Sequence, residues 1–360
     1  MPNTAKYLLV GSVEAYSGKS ATILGLAQLL VKRGVDFAYG KPLGTYQEEA
    51  ERSPYDQDVN FITKTLGLPD SHVCPTILSP HLGVVKDCLQ HELRPQFEAQ
   101  LMTYRQSQAG DLVMLEGPGS LEEGQLFGLS LLEMANGMDA NILLIARFHT
   151  LGAVDALLAA QARLGSRLLG VMLNDVPEAD WHLAQELVKP FLESCGIPVF
   201  GILPSDQLLR SVSVSELVHQ LSAEVLCRPD RLDLLVDQLT IGAMNVNSAL
   251  KYFRKGRNMA VVTGGDRTDI QLAALESSTH CLILTGHFSP NSMVLTRADD
   301  LEIPVLGVDL DTLTTVEIVD RTFGQVRLHE AVKVECVRQL IEANFDVDRL
   351  LSSLDMRSEF

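Results

Sequence analysis

Short runs of β-branched and leucine-rich residues alternate along the chain with longer stretches in which apolar residues recur at helical spacing. Such alternation marks βαβ units and predicts an α/β fold built on a mostly parallel sheet. In the first part the runs at 7–10, 36–40, 111–116, 141–146, 168–173 and 199–202 predict strands. Helices are predicted at 19–33, ended by Gly34 as a C-cap, at 59–66, and at 95–107 with Pro95 in the first turn. A loop rich in Glu, Asp and Pro covers 47–57. From Pro204 to Pro229 the rhythm weakens, so a boundary falls there and the chain divides into domains over 1–206 and 207–360. A second alternation then follows, with strands at 259–263, 281–285 and 304–308 and helices at 270–277, after Asn291, at 314–321 and at 331–344. It predicts a smaller α/β domain.

Composition narrows the function. A length of 360 residues suits two domains of about 150 residues each. Apolar residues make up 46% and charged residues 21%, a globular balance. The formal net charge is −17, a sign that repels phosphate backbones and anionic lipid, and the densest basic stretch, Lys251 to Arg257, is short. Neither nucleic acid nor a membrane surface is expected as a partner. The six cysteines form no Cys-x-x-Cys pair and read as reduced thiols. No run approaches the ~20 apolar residues of a membrane span, and the N-terminal apolar run stops at Gly11. A cytoplasmic protein is expected.

Candidate chemistry gathers at strand ends, where ligands bind in open α/β sheets. Gly18-Lys19-Ser20 directly follows the first strand and opens a helix, the context of a phosphate-binding loop. There, amides at a helix N-terminus hold phosphate oxygens, Lys19 neutralises the β and γ charges, and the Ser20 hydroxyl can sit on Mg²⁺. Val13 stands where the usual first glycine belongs, and Gly11 lies two residues early; a solvated lysine beside a helix start is the ordinary alternative. Lys41 follows the second strand and would stand beside this loop. Asp56 and Asp58 precede a helix, where they either cap it or hold Mg²⁺ together with Ser20. Glu116 ends a buried strand. Asn174 ends another, positioned either to read a purine edge or to form a turn. His149, with no nucleophile nearby in sequence, reads as structural, and Trp181 as packing.

The segments 10–20, 39–42, 115–117, 170–174 and 201–204 occur in the order found in dethiobiotin synthetases, which residues 1–206 resemble. The resemblance implies a deviant-Walker P-loop fold that binds Mg·ATP. It puts Lys19, Ser20, Lys41, Asp58 and Glu116 in phosphate and metal positions and Asn174 at adenine. The chain departs from that pattern at several points. Ser12 stands where those enzymes have their first glycine, six residues rather than five separate Gly11 from Gly18, Pro118 interrupts the glycine-rich loop after the acid, and Leu43-Gly44-Thr45-Tyr46 replaces their serine stretch. These changes weigh more against carboxylation than against nucleotide binding.

Further along, Gly264-Gly265-Asp266-Arg267-Thr268, Gly286-His287 and Asp309-Leu310-Asp311-Thr312 end three consecutive strands. They offer helix N-termini, hydroxyls and an arginine to an anion, although turn and capping chemistry would use the same residues. Here the chain resembles a DRTGG domain, and the order of the two domains resembles the N-terminal half of long-form phosphotransacetylases. That resemblance implies a nucleotide at Asp266, Arg267 and Thr268, a homo-oligomer, and a protein without the acetyltransferase that follows in those enzymes. The whole reading is of a regulatory Mg·ATP-binding protein. An ATP-dependent ligase, with Lys19 and Lys41 as catalytic groups, is the alternative.

Overall fold

The computed structural model describes residues 5–46, 56–91, 97–106, 110–286, 290–324 and 330–356. Most of the expected 47–57 loop, Pro95 and His287 lie outside these residues. The chain forms two compact units, one of residues 1–205 with 328–360 and one of residues 206–327.

The first unit carries a seven-stranded parallel sheet in the order β3-β2-β4-β1-β5-β6-β7. Its strands are β1 (Lys6–Ser12), β2 (Phe37–Gly40), β3 (Val73–Cys74), β4 (Leu112–Glu116), β5 (Asn141–Arg147), β6 (Leu168–Val176) and β7 (Val199–Pro204). The apolar runs seen in sequence become strands because both faces of the sheet are covered: all of β4 and all but the first residue of β1 are buried. Strand β3 is two residues long, and nothing in its sequence announces it. Around the sheet lie α1 (Lys19–Lys32), α2 (Gln57–Leu66), α3 (Leu82–His91), α4 (Phe97–Gln106), α5 (Leu131–Met138) and α6 (Leu151–Leu164). They are followed by α7 (Trp181–Leu183), a π-helical turn (Ala184–Val188) and α8 (Lys189–Ser194). Trp181 packs against the core of this unit.

The expected domain over 207–360 is corrected in one respect. Helices α15 (Ala331–Asn344) and α16 (Val347–Ser353), numbered after those of the second unit, belong to the first. The reason is packing: α15 turns Val334, Val337 and Ile341 inward. A Cβ placed on Gly25 of α1 would lie 2.8 Å from Ile341 and 3.1 Å from Val337, so the two helices approach as closely as glycine allows. Beyond α15, Phe345 bridges Gly201 on the edge strand β7, and the Asp346 amide donates to the Phe200 carbonyl at 2.8 Å. The returning segment therefore covers an open sheet edge.

The second unit has a five-stranded sheet, order β11-β12-β13-β14-β9, and a two-stranded pair, β8 with β10. Strands β11 (Gln238–Ile241), β12 (Met259–Gly264), β13 (Thr279–Thr285) and β14 (Val305–Val308) run parallel. The edge strand β9 (Glu224–Cys227) is antiparallel to β14, which makes the sheet mixed. Where the sequence rhythm weakens, the chain forms short elements: α9 (Gln207–Arg210), β8 (Val212–Ser213), α10 (Val214–Leu221) and β9, with β10 (Leu235–Val236) after them. Helices α11 (Val246–Phe253), α12 (Thr268–Leu275), α13 (Ser292–Asp300) and α14 (Thr312–Gly324) complete the unit. Among the described residues no helix is long and apolar enough to cross a membrane.

Candidate functional site

At the carboxyl edge of the first sheet, strand order brings Lys19, Ser20, Lys41 and Glu116 together. Val10 pairs with Glu116 and Gly40 with Leu115, so the residues that follow β1, β2 and β4 emerge side by side. Between β1 and α1 the chain makes a tight loop. Gly18 is the N-cap of α1 in a left-handed conformation, φ 96°, with no side-chain cap on the helix. Tyr16 is also left-handed, φ 55°, a strained state for a bulky residue that is over-represented at functional sites.

Four contacts define this cradle. Lys19 Nζ donates to Ser12 Oγ at 3.0 Å, and Ser20 Oγ donates to Glu116 Oε1 at 2.9 Å. The Tyr39 hydroxyl donates to the other oxygen of Glu116 at 3.1 Å. Asn174 Nδ2 donates to the Ser17 carbonyl at 2.9 Å, and a Cβ on Gly18 would stand 2.5 Å from that amide. Asn174 thus supports the loop from beneath. Among the described residues Ser17 Oγ is buried with no hydrogen-bond partner, and an unsatisfied buried group in a native fold calls for an explanation.

Lys41 completes the cluster. Its ammonium donates to Asp58 at 2.6 Å, Thr45 Oγ1 at 2.9 Å and Asp56 at 3.2 Å. Asp56 also accepts from the amides of Thr45 and Asp58 and caps α2. Asp56 thus fills the capping role weighed for it in sequence and shares the lysine with Asp58.

Burial sets the charges in this cluster. It pulls Lys19 below the ordinary lysine value, with Glu116 and Glu123 opposing. Burial also acts to lower Lys41, but the charges of Glu116, Asp58 and Asp56 outweigh it and hold the pKa above the ordinary value. Glu116 is raised by burial and, further, by Asp58, against the pull of Lys41 and Lys19. Burial would raise Asp56, yet Lys41 and the two backbone amides bring it below the usual aspartate value. Mutually tuned groups of this kind are typical of functional clefts.

Sequence reasoning missed Ser12, Ser17 and Tyr39 as contacts in the cluster. Ser12 was visible only as a departure from a glycine, and Tyr39 reads as any core aromatic. His149 lies within 3.4 Å of Glu14 on the loop, both partly exposed.

In the second unit the DRTGG loop sits between β12 and α12. Asp266 Oδ1 packs on Gly264, where a Cβ would meet it at 2.6 Å. Arg267 is the N-cap of α12 without a side-chain cap, and its guanidinium donates to the Met244 carbonyl at 3.0 Å and to Asp269 at 3.3 Å. Thr268 opens α12. Gln271, wholly buried, donates to the Gly264 carbonyl at 2.8 Å and leaves its Oε1 unpartnered. Thr285 and Thr312 share a hydrogen bond at 2.8 Å. The helix N-terminus at α14 is already satisfied, because Asp311 accepts from the amides of Leu313 and Thr314. At the start of α12 a carboxylate is also present, since Asp269 stands in its first turn, held below the usual aspartate value by Arg267 and by the Ile270 amide.

A P-loop type of α/β domain followed by a smaller α/β unit is what fold and loop define, and comparison with known proteins assigns the family. The family model of the AAA domain, AAA_26, matches residues 6–213, and that of the DRTGG domain matches residues 216–322. The chain belongs to the AAA_26 family of dethiobiotin-synthetase-like P-loop domains, here followed by a DRTGG domain. It is 26% identical over 372 residues to the phosphate acetyltransferase of Nitratidesulfovibrio vulgaris, covering 96% of this chain and 51% of that one. The phosphate acetyltransferase of Synechocystis is 24% identical over 365 residues, again covering 96% and 51%. The cobyric acid synthase of Desulforudis audaxviator is 29% identical over 234 residues, 56% of this chain and 45% of that one. The chain spans about half the length of the phosphate acetyltransferases it matches. The expected lack of acetyl transfer finds no support, since relatives matched along nearly the whole chain carry that name.

Proposed function

We propose that the first unit binds Mg·ATP in the cradle between β1 and α1 and that the second unit senses a small anionic ligand, so that the chain is a nucleotide-responsive regulatory element. The observation that carries the reading is the Ser20–Glu116 hydrogen bond at 2.9 Å, beside Lys19 and an unpartnered, buried Ser17 hydroxyl at an uncapped helix start. The donor set fits the group. Ser20, Asp58 and Glu116 offer hard oxygens on one side of the loop, and Mg²⁺ accepts one or two carboxylates with a hydroxyl, waters and phosphate. Bound Mg²⁺ would neutralise charge on the phosphate oxygens.

The chain's own groups do the rest. The α1 amides and Lys19 receive the β and γ phosphates, Ser17 gains a partner, and Asn174 keeps the loop in shape at the adenine side. Glu116, whose carboxyl burial has pushed up, accepts from Ser20 and Tyr39 and orients the Ser20 hydroxyl. Lys19→Ala is expected to weaken ATP binding at least ~10-fold, or about 1.4 kcal/mol. Unchanged affinity by titration calorimetry in the folded variant refutes the reading.

In the second unit Arg267 at the start of α12 and the unpartnered Gln271 Oε1 support a small-molecule site of Asp266, Arg267 and Thr268, with an adenine nucleotide as its ligand. A homo-oligomer and a cytoplasmic location complete the proposal. The ligase alternative is favoured by the two lysines at one sheet edge, although Lys41 is held by two carboxylates and would have to exchange them for an acyl phosphate. Product analysis after incubation with ATP separates the two.

A further inference from the structure

The Lys19 ammonium is buried, and burial disfavours its charge. Among the described residues it has one hydrogen-bond acceptor, Ser12 Oγ. Ser12 itself is completely buried, and its single proton points to the carbonyls of Glu14 at 2.7 Å and Gly119 at 2.9 Å. A chain of contacts therefore runs from the loop lysine through one hydroxyl to the loop that follows Glu116. In the enzymes that this unit resembles, a glycine stands at this position, and glycine has no side-chain oxygen to offer an amine.

We propose that Ser12 is a parking partner for Lys19, and that its hydroxyl sets how strongly the loop discriminates ligands bearing β and γ phosphates from ligands without them. The inference rests on the reading of this loop as a phosphate site. The physics is linkage: a contact made in the empty site and given up in the occupied one weakens binding by its own worth. Removing Ser12 raises the free energy of the empty site, where a desolvated ammonium loses its acceptor, and leaves the occupied site unchanged because a phosphate then holds the amine. A monophosphate that does not reach Lys19 gains nothing from the change.

The test compares wild type, Ser12→Ala and Ser12→Thr in the full chain. Titration calorimetry with Mg·AMP-PNP is expected to show Ser12→Ala binding roughly tenfold tighter, the worth of one hydrogen bond to a charged group. AMP affinity stays within about twofold on the same reasoning, and Ser12→Thr, which keeps an oxygen, moves back toward wild type. A second readout needs no nucleotide: acylation of Lys19 by an amine-reactive ester, followed by peptide mass spectrometry, is expected to be faster in Ser12→Ala, because an amine no longer held by the Ser12 oxygen is freer to meet the reagent. Equal or weaker AMP-PNP binding by folded Ser12→Ala, or an unchanged acylation rate, overturns the proposal. Absence of any nucleotide heat in wild type retires the nucleotide reading instead, and the acylation rates still decide whether Ser12 holds the amine.

Discussion

Replacing Lys41 with methionine probes the electrostatics of the site directly. The side chain has similar reach, so little cavity is made, but three buried or half-buried acids lose their counter-charge: Asp58 at 2.6 Å, Asp56 at 3.2 Å, and Glu116, whose field acts on the lysine. Removing one partner of a buried pair costs about 3–5 kcal/mol. Asp58 keeps 22% of its side-chain exposure, so water recovers part of the loss and about 3 kcal/mol at neutral pH is expected. In a unit of this size that corresponds to a fall in Tm of ~6–12 °C. The reporter is built in. Trp181 is the single tryptophan and packs on the core of the first unit, so its fluorescence follows that unit rather than the second.

The pH dependence carries a sign. Asp56 lies below its ordinary pKa of 3.8, so its contribution is full above that value and is lost as pH falls through the folded pKa. Lys41 lies above 10.5, so its contribution is full below that value and is lost only as pH rises through the raised one. The gap between wild type and variant is therefore full from about pH 6 to 8 and shrinks below about pH 4. A variant within about 1 kcal/mol of wild type at pH 7, or a gap that widens in acid, refutes the reasoning.

Two further outcomes test the rest of the architecture. Ile341→Ala removes a fully buried side chain that packs on Gly25, and is expected to cost about 2–4 kcal/mol, read by the same Trp181 fluorescence in urea; a loss confined to circular dichroism with the tryptophan transition unmoved would mean that α15 does not belong to the first unit. Arg267→Ala is expected to abolish binding of an adenine nucleotide to the second unit while ATP binding at Lys19 stays intact, and equal loss at both sites in calorimetry would argue against separate sites.

The alternation of apolar runs and helical patterns was enough to determine the α/β class, the major strands and the loop at Gly18-Lys19-Ser20. Buried parallel strands and phosphate-binding turns are local consequences of local sequence: a continuous apolar run has no solvated face, and a glycine before a lysine and a hydroxyl opens a helix. The helix at 331–344 was equally legible, but its allegiance was not. A stripe of Val334, Val337 and Ile341 says that a helix must bury one face without saying against what, and only the close approach permitted by Gly25 assigns it to the first unit. The edge strand β9 and the two-residue strands β3, β8 and β10 escaped notice because pairing partners, rather than their own composition, make them strands. At the site, sequence named the groups that carry charge, while tertiary structure decided their company. Strand order set Lys41 beside Glu116, because contacts between residues distant in sequence depend on the register of strands that no single segment encodes, while the path of the chain between β1 and α1 brought the Ser12 hydroxyl to Lys19, and both aspartates met Lys41 with Asp56 also capping α2.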